Sequence, residues 1–239
     1  MMRDAWDRLP PLVRALLPGL VVTAVAAAGF FAILDEVQEQ DSFAEIDDPV
    51  TQWFYDHRLP WLTTVMTWIT TLFGPVVLPI IVGVGCAVWW WRTRQWRDPA
   101  LLAGAMILST IMTMTIKVIV ERPRPEELFQ VVPGYETSFS FPSGHSTGAA
   151  TFVMVIAYLL WRRHRTLLAL VLWSLGAIAI TAIVATTRMY LGYHFLSDVL
   201  AGACVGLFTL GLVICVDRWL DLRMGTRAGV PIDQASAGP

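Results

Sequence analysis

The sequence predicts an all-α, polytopic membrane protein: six transmembrane helices with a short interfacial helix. Three observations carry that prediction. The 239-residue chain is 56% hydrophobic and only 15% charged, with 11 Trp, which is too apolar for an ordinary soluble domain and too charge-poor for a disordered one. Six long runs carry no charged side chain. The arginines collect at one end of every second connection, as membrane topology requires.

A spanning helix needs about 20 mostly apolar residues to cross about 30 Å of hydrocarbon. The first uncharged run is Leu16 to Leu34. Asp35 and Glu36 follow it without a small-x-small cleavage site, so it reads as an anchor and not as a removed signal. Trp61 to Trp91 is the second, long enough to tilt, with Gly74-Pro75 and Pro79 as bending points. The remaining four are Pro99 to Ile116, Ser146 to Trp161, Thr166 to Thr187 and Val199 to Val216. None shows the polar face of a soluble helix, and runs of this length satisfy their backbone in lipid as helices. Between the first two runs, Asp47 to Leu59 mixes Val50, Trp53, Phe54 and Tyr55 with polar residues, the pattern of an amphipathic helix lying at the interface.

These runs form one domain. Residues 12–218 make the six-span unit, residues 1–11 an N-terminal segment, and residues 219–239 a tail whose small, polar end from Gly225 is expected to be partly disordered. Cys86, Cys204 and Cys215 lie within spans and read as small core residues, with neither disulfide nor metal spacing. The chain has no solenoid repeat and no nucleic-acid signature.

Twelve arginines lie on one side of a six-span layout: Arg3, Arg8 and Arg14; Arg92, Arg94 and Arg97; Arg162, Arg163 and Arg165; Arg218, Arg223 and Arg227. The positive-inside rule makes that side cytoplasmic, with both termini inside. The opposite side has an acidic first loop and only five basic residues: Arg58, Lys117, Arg122, Arg124 and Arg188. Topology does not explain those five.

Three segments on that same side carry chemistry. Lys117 and Arg124 are separated by six residues, with Pro123 and Pro125 stopping the third span. Pro142-Ser143-Gly144-His145 opens the fourth. Arg188, His194 and Asp198 close the fifth and start the sixth. A phosphoryl group in transfer spreads negative charge over its oxygens, and fixed cations and backbone N–H groups stabilise it. Lys117, Arg124 and Arg188 are the candidate cations, arginine offering a bidentate fork. Ser143 and Gly144 are candidate anion contacts at a helix N-terminus. His194 and Asp198, spaced i, i+4, share a helix face; a carboxylate on one imidazole nitrogen leaves the other nucleophilic. His145 is the candidate general acid–base, with an ordinary pKa of about 6.5. His57 and His164 read as solvated surface residues.

These segments resemble the three signature motifs of the type 2 phosphatidic acid phosphatase superfamily: K-x6-R-P, P-S-G-H and S-R-x5-H-x3-D. The matches are Lys117, Arg124, Pro125, Pro142, Ser143, Gly144, His145, Arg188, His194 and Asp198, with Thr187 where the family usually has serine. The motifs cover residues 117–198, and the six-span layout extends the resemblance over roughly 12–218. It implies an integral membrane lipid phosphatase that needs no metal or other cofactor. His194 would be the nucleophile that becomes phosphohistidine, Asp198 its orienting partner and His145 the acid and then the base. Lys117, Arg124, Ser143, Gly144 and Arg188 would hold the phosphate, with Arg122 as an electrostatic helper outside the motif positions. The expected substrate is a lipid phosphate or diphosphate at the outer leaflet of a bacterial inner membrane: phosphatidic acid, phosphatidylglycerol phosphate or undecaprenyl diphosphate. Three other readings share some of these features. They are a phosphotransferase using the same site, a vanadate-dependent haloperoxidase, and a transporter with charges near its span ends.

Overall fold

The computed structural model describes residues 9–39 and 42–227; Arg3, Arg8 and residues 228–239 lie outside them, while residues 225–227 of the segment expected to be disordered from Gly225 continue the last helix. Among the described residues the regular structure is helical: α1 (Pro11–Glu39), α2 (Ser42–Asp56), α3 (Pro60–Leu72), α4 (Val77–Thr93), α5 (Arg97–Val120), a 3-10 turn (Glu127–Phe129), α6 (Gly144–His164), α7 (Leu167–Tyr190) and α8 (Leu196–Arg227). Helices α1, α5, α6, α7 and α8 are each long and apolar enough to cross a membrane. Helices α3 and α4 meet that test only together, bent by 48° at a short break, which makes six spans when the pair is one broken span. The chain is a multi-pass membrane protein, and the α3–α4 pair is interrupted at the Gly74-Pro75 step. Proline lacks the amide that would continue the ladder, so α3 stops at Leu72 and α4 restarts at Val77.

The helix ends follow from local chemistry. Ser143 caps α6 by accepting the Ser146 amide, and Thr166 caps α7 by accepting that of Ala169. Helix α5 ends at Glu121, in the left-handed region with φ 51°, ahead of Pro123 and Pro125. The expected interfacial segment is α2, which starts a little earlier than the pattern of Asp47 to Leu59 suggested.

Helices α6 and α8 form the middle of the bundle, and α1, α5 and α7 surround them. The main apolar cluster joins Leu78, Val82, Leu102, Val155, Leu159 and Val213 from α4, α5, α6 and α8. Helix α1 packs along α8 through glycines. A Cβ on Gly19 would fall 2.7 Å from the Gly211 carbonyl oxygen, and one on Gly211 would fall 2.7 Å from the Thr23 amide nitrogen. Small residues let backbones approach in lipid, where dispersion does much of the packing. Apolar side chains such as Trp68, Val118, Ile119, Leu167 and Leu168 point outward, the expected surface of a bundle solvated by hydrocarbon.

The cytoplasmic end predicted from the arginines holds an ionic clasp. Arg162 on α6 pairs with Asp98 on α5 and with Asp217 on α8; Arg97 reaches Asp217 at 2.7 Å and Asp221 at 2.7 Å. Tyr158 donates to Asp217 at 2.7 Å. The clasp ties α5, α6 and α8 together at the end opposite the motif residues.

Candidate active site

The three sequence segments converge at the other end of the bundle. The connection between α7 and α8 turns sharply at Gly192, whose φ is +77°, a conformation that favours glycine. A Cβ there would also strike the Phe129 carbonyl oxygen. This turn delivers His194 just before α8, and Asp198 sits in the first turn of α8. Both are fully buried.

His194 Nδ1 lies 3.2 Å from Asp198 Oδ2, which also accepts the Phe195 amide at 3.0 Å. The ring's other nitrogen, Nε2, lies 3.3 Å from Arg124 Nη1. A guanidinium can only donate, so Nε2 carries the lone pair and Nδ1 the proton. Burial, reinforced by Arg188, Arg124 and Lys117, pushes the His194 pKa well below the ordinary histidine value. At neutral pH the ring is uncharged, with Nε2 directed at the cations.

Those cations are rigidly held. Arg188, on the last turn of α7, donates to Thr70 Oγ1 at 2.9 Å from the broken span, and its guanidinium lies over the Tyr193 ring at 4.8 Å. Arg124 donates to the Ser138 carbonyl at 2.6 Å and to the Tyr193 carbonyl at 2.8 Å. Lys117 is buried and donates to the carbonyls of Phe139 and Ser140, so part of its bonding capacity organises the strand of chain that leads into Pro142-Ser143.

Two findings modify the sequence expectation. The Ser143 amide is not presented to the site: it donates to the Asp198 carbonyl at 3.0 Å, and Ser143 Oγ accepts from Ser146. Ser143 therefore joins the start of α6 to the start of α8. His145 follows on the first turn of α6, with Nε2 beside the span break: a Cβ on Gly74 would lie 3.5 Å from it. The break thus brings backbone, with no intervening side chain, against the second histidine.

Residues outside the motifs complete the site. Glu136, in the loop between α5 and α6, pairs with Arg188 and with Arg124 at 2.8 Å, and its Oε2 lies 3.9 Å from His194 Nε2. Burial is the largest single influence on this carboxyl and raises its pKa. The Arg188 and Arg124 guanidiniums outweigh burial and hold it below the usual range. Arg122 donates to Asp198 Oδ1 at 2.6 Å and to Asp47 Oδ2 at 2.8 Å. Arg58 is structural: it donates to the carbonyls of Tyr190 and Phe129, stapling the 3-10 turn to the end of α7. His57 is exposed and stacked on Trp53, and His164 is exposed, in line with their surface reading. Nothing in the sequence distinguishes Glu136 from Glu126 or Glu127. Asp47 had a signal: Asp47, Thr51 and Phe54 share one face of α2, at helical spacing, and the first two are buried.

A pocket of about 350 Å³ opens beside this site, lined by Arg122, Arg124, Glu126, Glu127, Gln130 and Glu136 among others. Among the described residues no group of three His, Cys, Asp or Glu side chains is placed to hold a metal ion.

Comparison with known proteins points the same way. Residues 98–221 match the PAP2 superfamily. Phosphatidylglycerophosphatase B of Bacillus subtilis (strain 168) is 35% identical over 191 residues, covering 77% of this chain and 89% of that protein. A putative undecaprenyl-diphosphatase of Escherichia coli (strain K12) is 28% identical over 152 residues, covering 62% and 70%. The crystal structure of a transmembrane PAP2-type phosphatidylglycerolphosphate phosphatase from Bacillus subtilis superposes with a TM-score of 0.68 at 29% identity, covering 83% of this chain and 96% of that one.

Proposed function

The chain belongs to the PAP2 superfamily and is a membrane lipid phosphatase; from that premise we propose that it hydrolyses a lipid phosphate monoester or diphosphate through a phosphohistidine on His194. The observation that carries this reading is the orientation of the imidazole. Nδ1 is held 3.2 Å from Asp198 while Nε2 faces the Arg124 guanidinium at 3.3 Å, so the lone pair points to where an anion would be gripped.

In the first step Nε2 of His194 attacks phosphorus and the bond from phosphorus to the lipid oxygen breaks. His145 gives its proton to that leaving oxygen. Asp198 stabilises the positive charge that develops on the His194 ring. In the second step His145 takes a proton from water, the oxygen attacks phosphorus, the P–N bond breaks, and phosphate leaves with His194 neutral again. Arg124, Arg188 and Lys117 balance charge on the equatorial oxygens, and the Gly144 end of α6 adds the field of a helix N-terminus. Ser143 supports that end through its bonds to Asp198 and Ser146. The mechanism routes no step through a metal, because fixed cations fill that electrostatic role.

The substrate classes are phosphatidic acid, phosphatidylglycerol phosphate and undecaprenyl diphosphate, the tail remaining in lipid while the head group enters. The distribution of arginines supports a bacterial inner membrane location with both termini cytoplasmic and the site on the far face. Phosphate release by the purified protein, measured for each substrate with EDTA present, tests this function. Turnover is expected for at least one lipid and none for His194→Ala of unchanged thermal stability. Wild-type rates in that variant would refute the nucleophile, and the absence of release from every lipid would refute the function.

A further inference from the structure

Asp47 belongs to α2, the interfacial helix, and is remote in sequence from every motif, yet the residue is only 1% exposed. Oδ1 accepts the Ser197 amide at 3.0 Å, and Oδ2 accepts both the Ser197 hydroxyl and Arg122 Nη2, the latter at 2.8 Å. The Ser197 amide is one of the unpaired donors of the first turn of α8. Asp47 therefore caps, from another helix, the turn that carries Asp198. The second arm of Arg122 donates to Asp198 Oδ1 at 2.6 Å and to Ser197 Oγ at 2.6 Å. The plane of the guanidinium is fixed further by the Phe195 ring, 4.4 Å away.

The result is a continuous chain of contacts: Asp47, Arg122, Asp198 and His194. One arginine lies between two buried carboxylates, and only the second of them touches the nucleophile. We propose that Asp47 is a positioning residue for the phosphatase reaction. By sharing the Arg122 charge and capping Ser197 it keeps Asp198 Oδ2 turned toward His194 Nδ1, which gives the interfacial helix a part in catalysis. This rests on the assignment of His194 as nucleophile.

The physical argument is competition for one carboxylate. Arg122 and His194 both donate to Asp198, and a charged donor outcompetes a neutral one. Asp47 gives Arg122 a second anion, so the guanidinium bridges the two carboxylates instead of closing in a bidentate pair on Asp198. Without that anion Arg122 can rotate to grip both Asp198 oxygens, and the imidazole loses the partner that orients Nε2. The groups facing His194 directly are unaffected: Arg124 and Glu136 from the loop, Arg188 from α7, Lys117 from α5.

Asp47→Asn keeps shape and removes charge; Asp48→Asn, on an exposed neighbouring position of the same helix, is the control. With a lipid phosphate substrate, kcat of Asp47→Asn is expected to fall on the order of 10–100-fold, as for outer partners of a reacting group, with KM within about twofold. Vanadate, which must bond to an oriented Nε2 to mimic the five-coordinate state, should inhibit this variant less well by a similar factor. The inhibition constant of inorganic phosphate, which needs only the cations, should not move. Arg122→Lys, unable to bridge two carboxylates, should show the same pattern, and Asp47→Asn with Arg122→Lys should be no worse than either alone. Asp47→Glu should recover part of kcat. The inference is overturned if Asp47→Asn matches Asp48→Asn, or if kcat falls while vanadate inhibition stays at the wild-type level, since fewer folded molecules would produce that result. A wild-type protein that is neither active nor vanadate-sensitive would instead sink the functional assignment beneath it.

Discussion

The carboxylate of Glu136 stands 3.9 Å from Nε2 of His194 and pairs with both Arg124 and Arg188. It is an internal anion lying where the proposed mechanism needs the substrate's phosphoryl oxygens. A phosphate entering the site must replace it, exchanging one set of charge-assisted bonds for another.

Glu136→Gln removes the competing charge. The inhibition constant of inorganic phosphate is expected to fall about tenfold, the equivalent of about 1.4 kcal/mol, while thermal stability drops because Arg124 and Arg188 lose their counter-ion. Phosphate inhibition titrated in both proteins checks this. An unchanged or weaker inhibition would show that Glu136 does not compete for the cations.

The pH dependence follows from His194. Its folded-state pKa is pushed well below the ordinary value by burial and by Arg188, Arg124 and Lys117, so the nucleophile is unprotonated throughout the neutral range. The acidic limb of kcat/KM is expected well below pH 6.5. Arg124→Gln removes a positive neighbour and should move that limb upward. A limb that stays in place would mean that it reports another group.

The same shift is linked to stability. The unfolded chain takes up a proton on this ring near pH 6.5, where the folded protein does not. The contribution of neutral His194 is therefore complete above that pH and lost as pH falls through the lower folded pKa. Melting temperatures of wild type and His194→Gln, measured from pH 7 downward, should converge toward the acid end. A constant difference would contradict the linkage.

Arg188 donates to Thr70 and pairs with Glu136 while stacked over Tyr193. Lysine supplies the charge without the planar fork. Arg188→Lys is expected to lower kcat by about 10²–10³-fold, the scale of losing one preorganised donor to a developing oxyanion. Steady-state rates settle this, and a loss below about threefold would remove Arg188 from the phosphate-binding set.

At the opposite end, Asp217 receives Arg97, Arg162 and Tyr158. Asp217→Ala strands those donors and should destabilise the fold by about 3 kcal/mol, the usual cost of breaking a buried pair from one side. Activity per folded molecule should be retained, because none of these residues approaches His194. Unfolding in detergent, paired with active-site titration, measures both.

The membrane character of this chain was legible because hydrocarbon imposes a one-dimensional rule. An uncharged run of sufficient length becomes a helix wherever its neighbours are, and Leu16–Leu34 or Thr166–Thr187 needed no partner to be read. The nearness of His194 to Asp198 was legible from their spacing, but they do not share a helix face as expected: His194 lies in the turn before α8 and meets Asp198 from there. The sequence marked Gly74-Pro75 and Pro79 as bending points of the second run; tertiary structure alone decided that the break falls at the first of them, beside His145, and that the Ser143 amide is spent on the Asp198 carbonyl. It also decided which acids matter. Asp47 meets Arg122 from 75 positions away in the chain and Glu136 meets the motif residue Arg124 from 12 away, and each is an acid among other acids in its own segment. A charge's role depends on the field of the groups packed around it. Helical period and hydropathy carry no information about contacts made across the bundle.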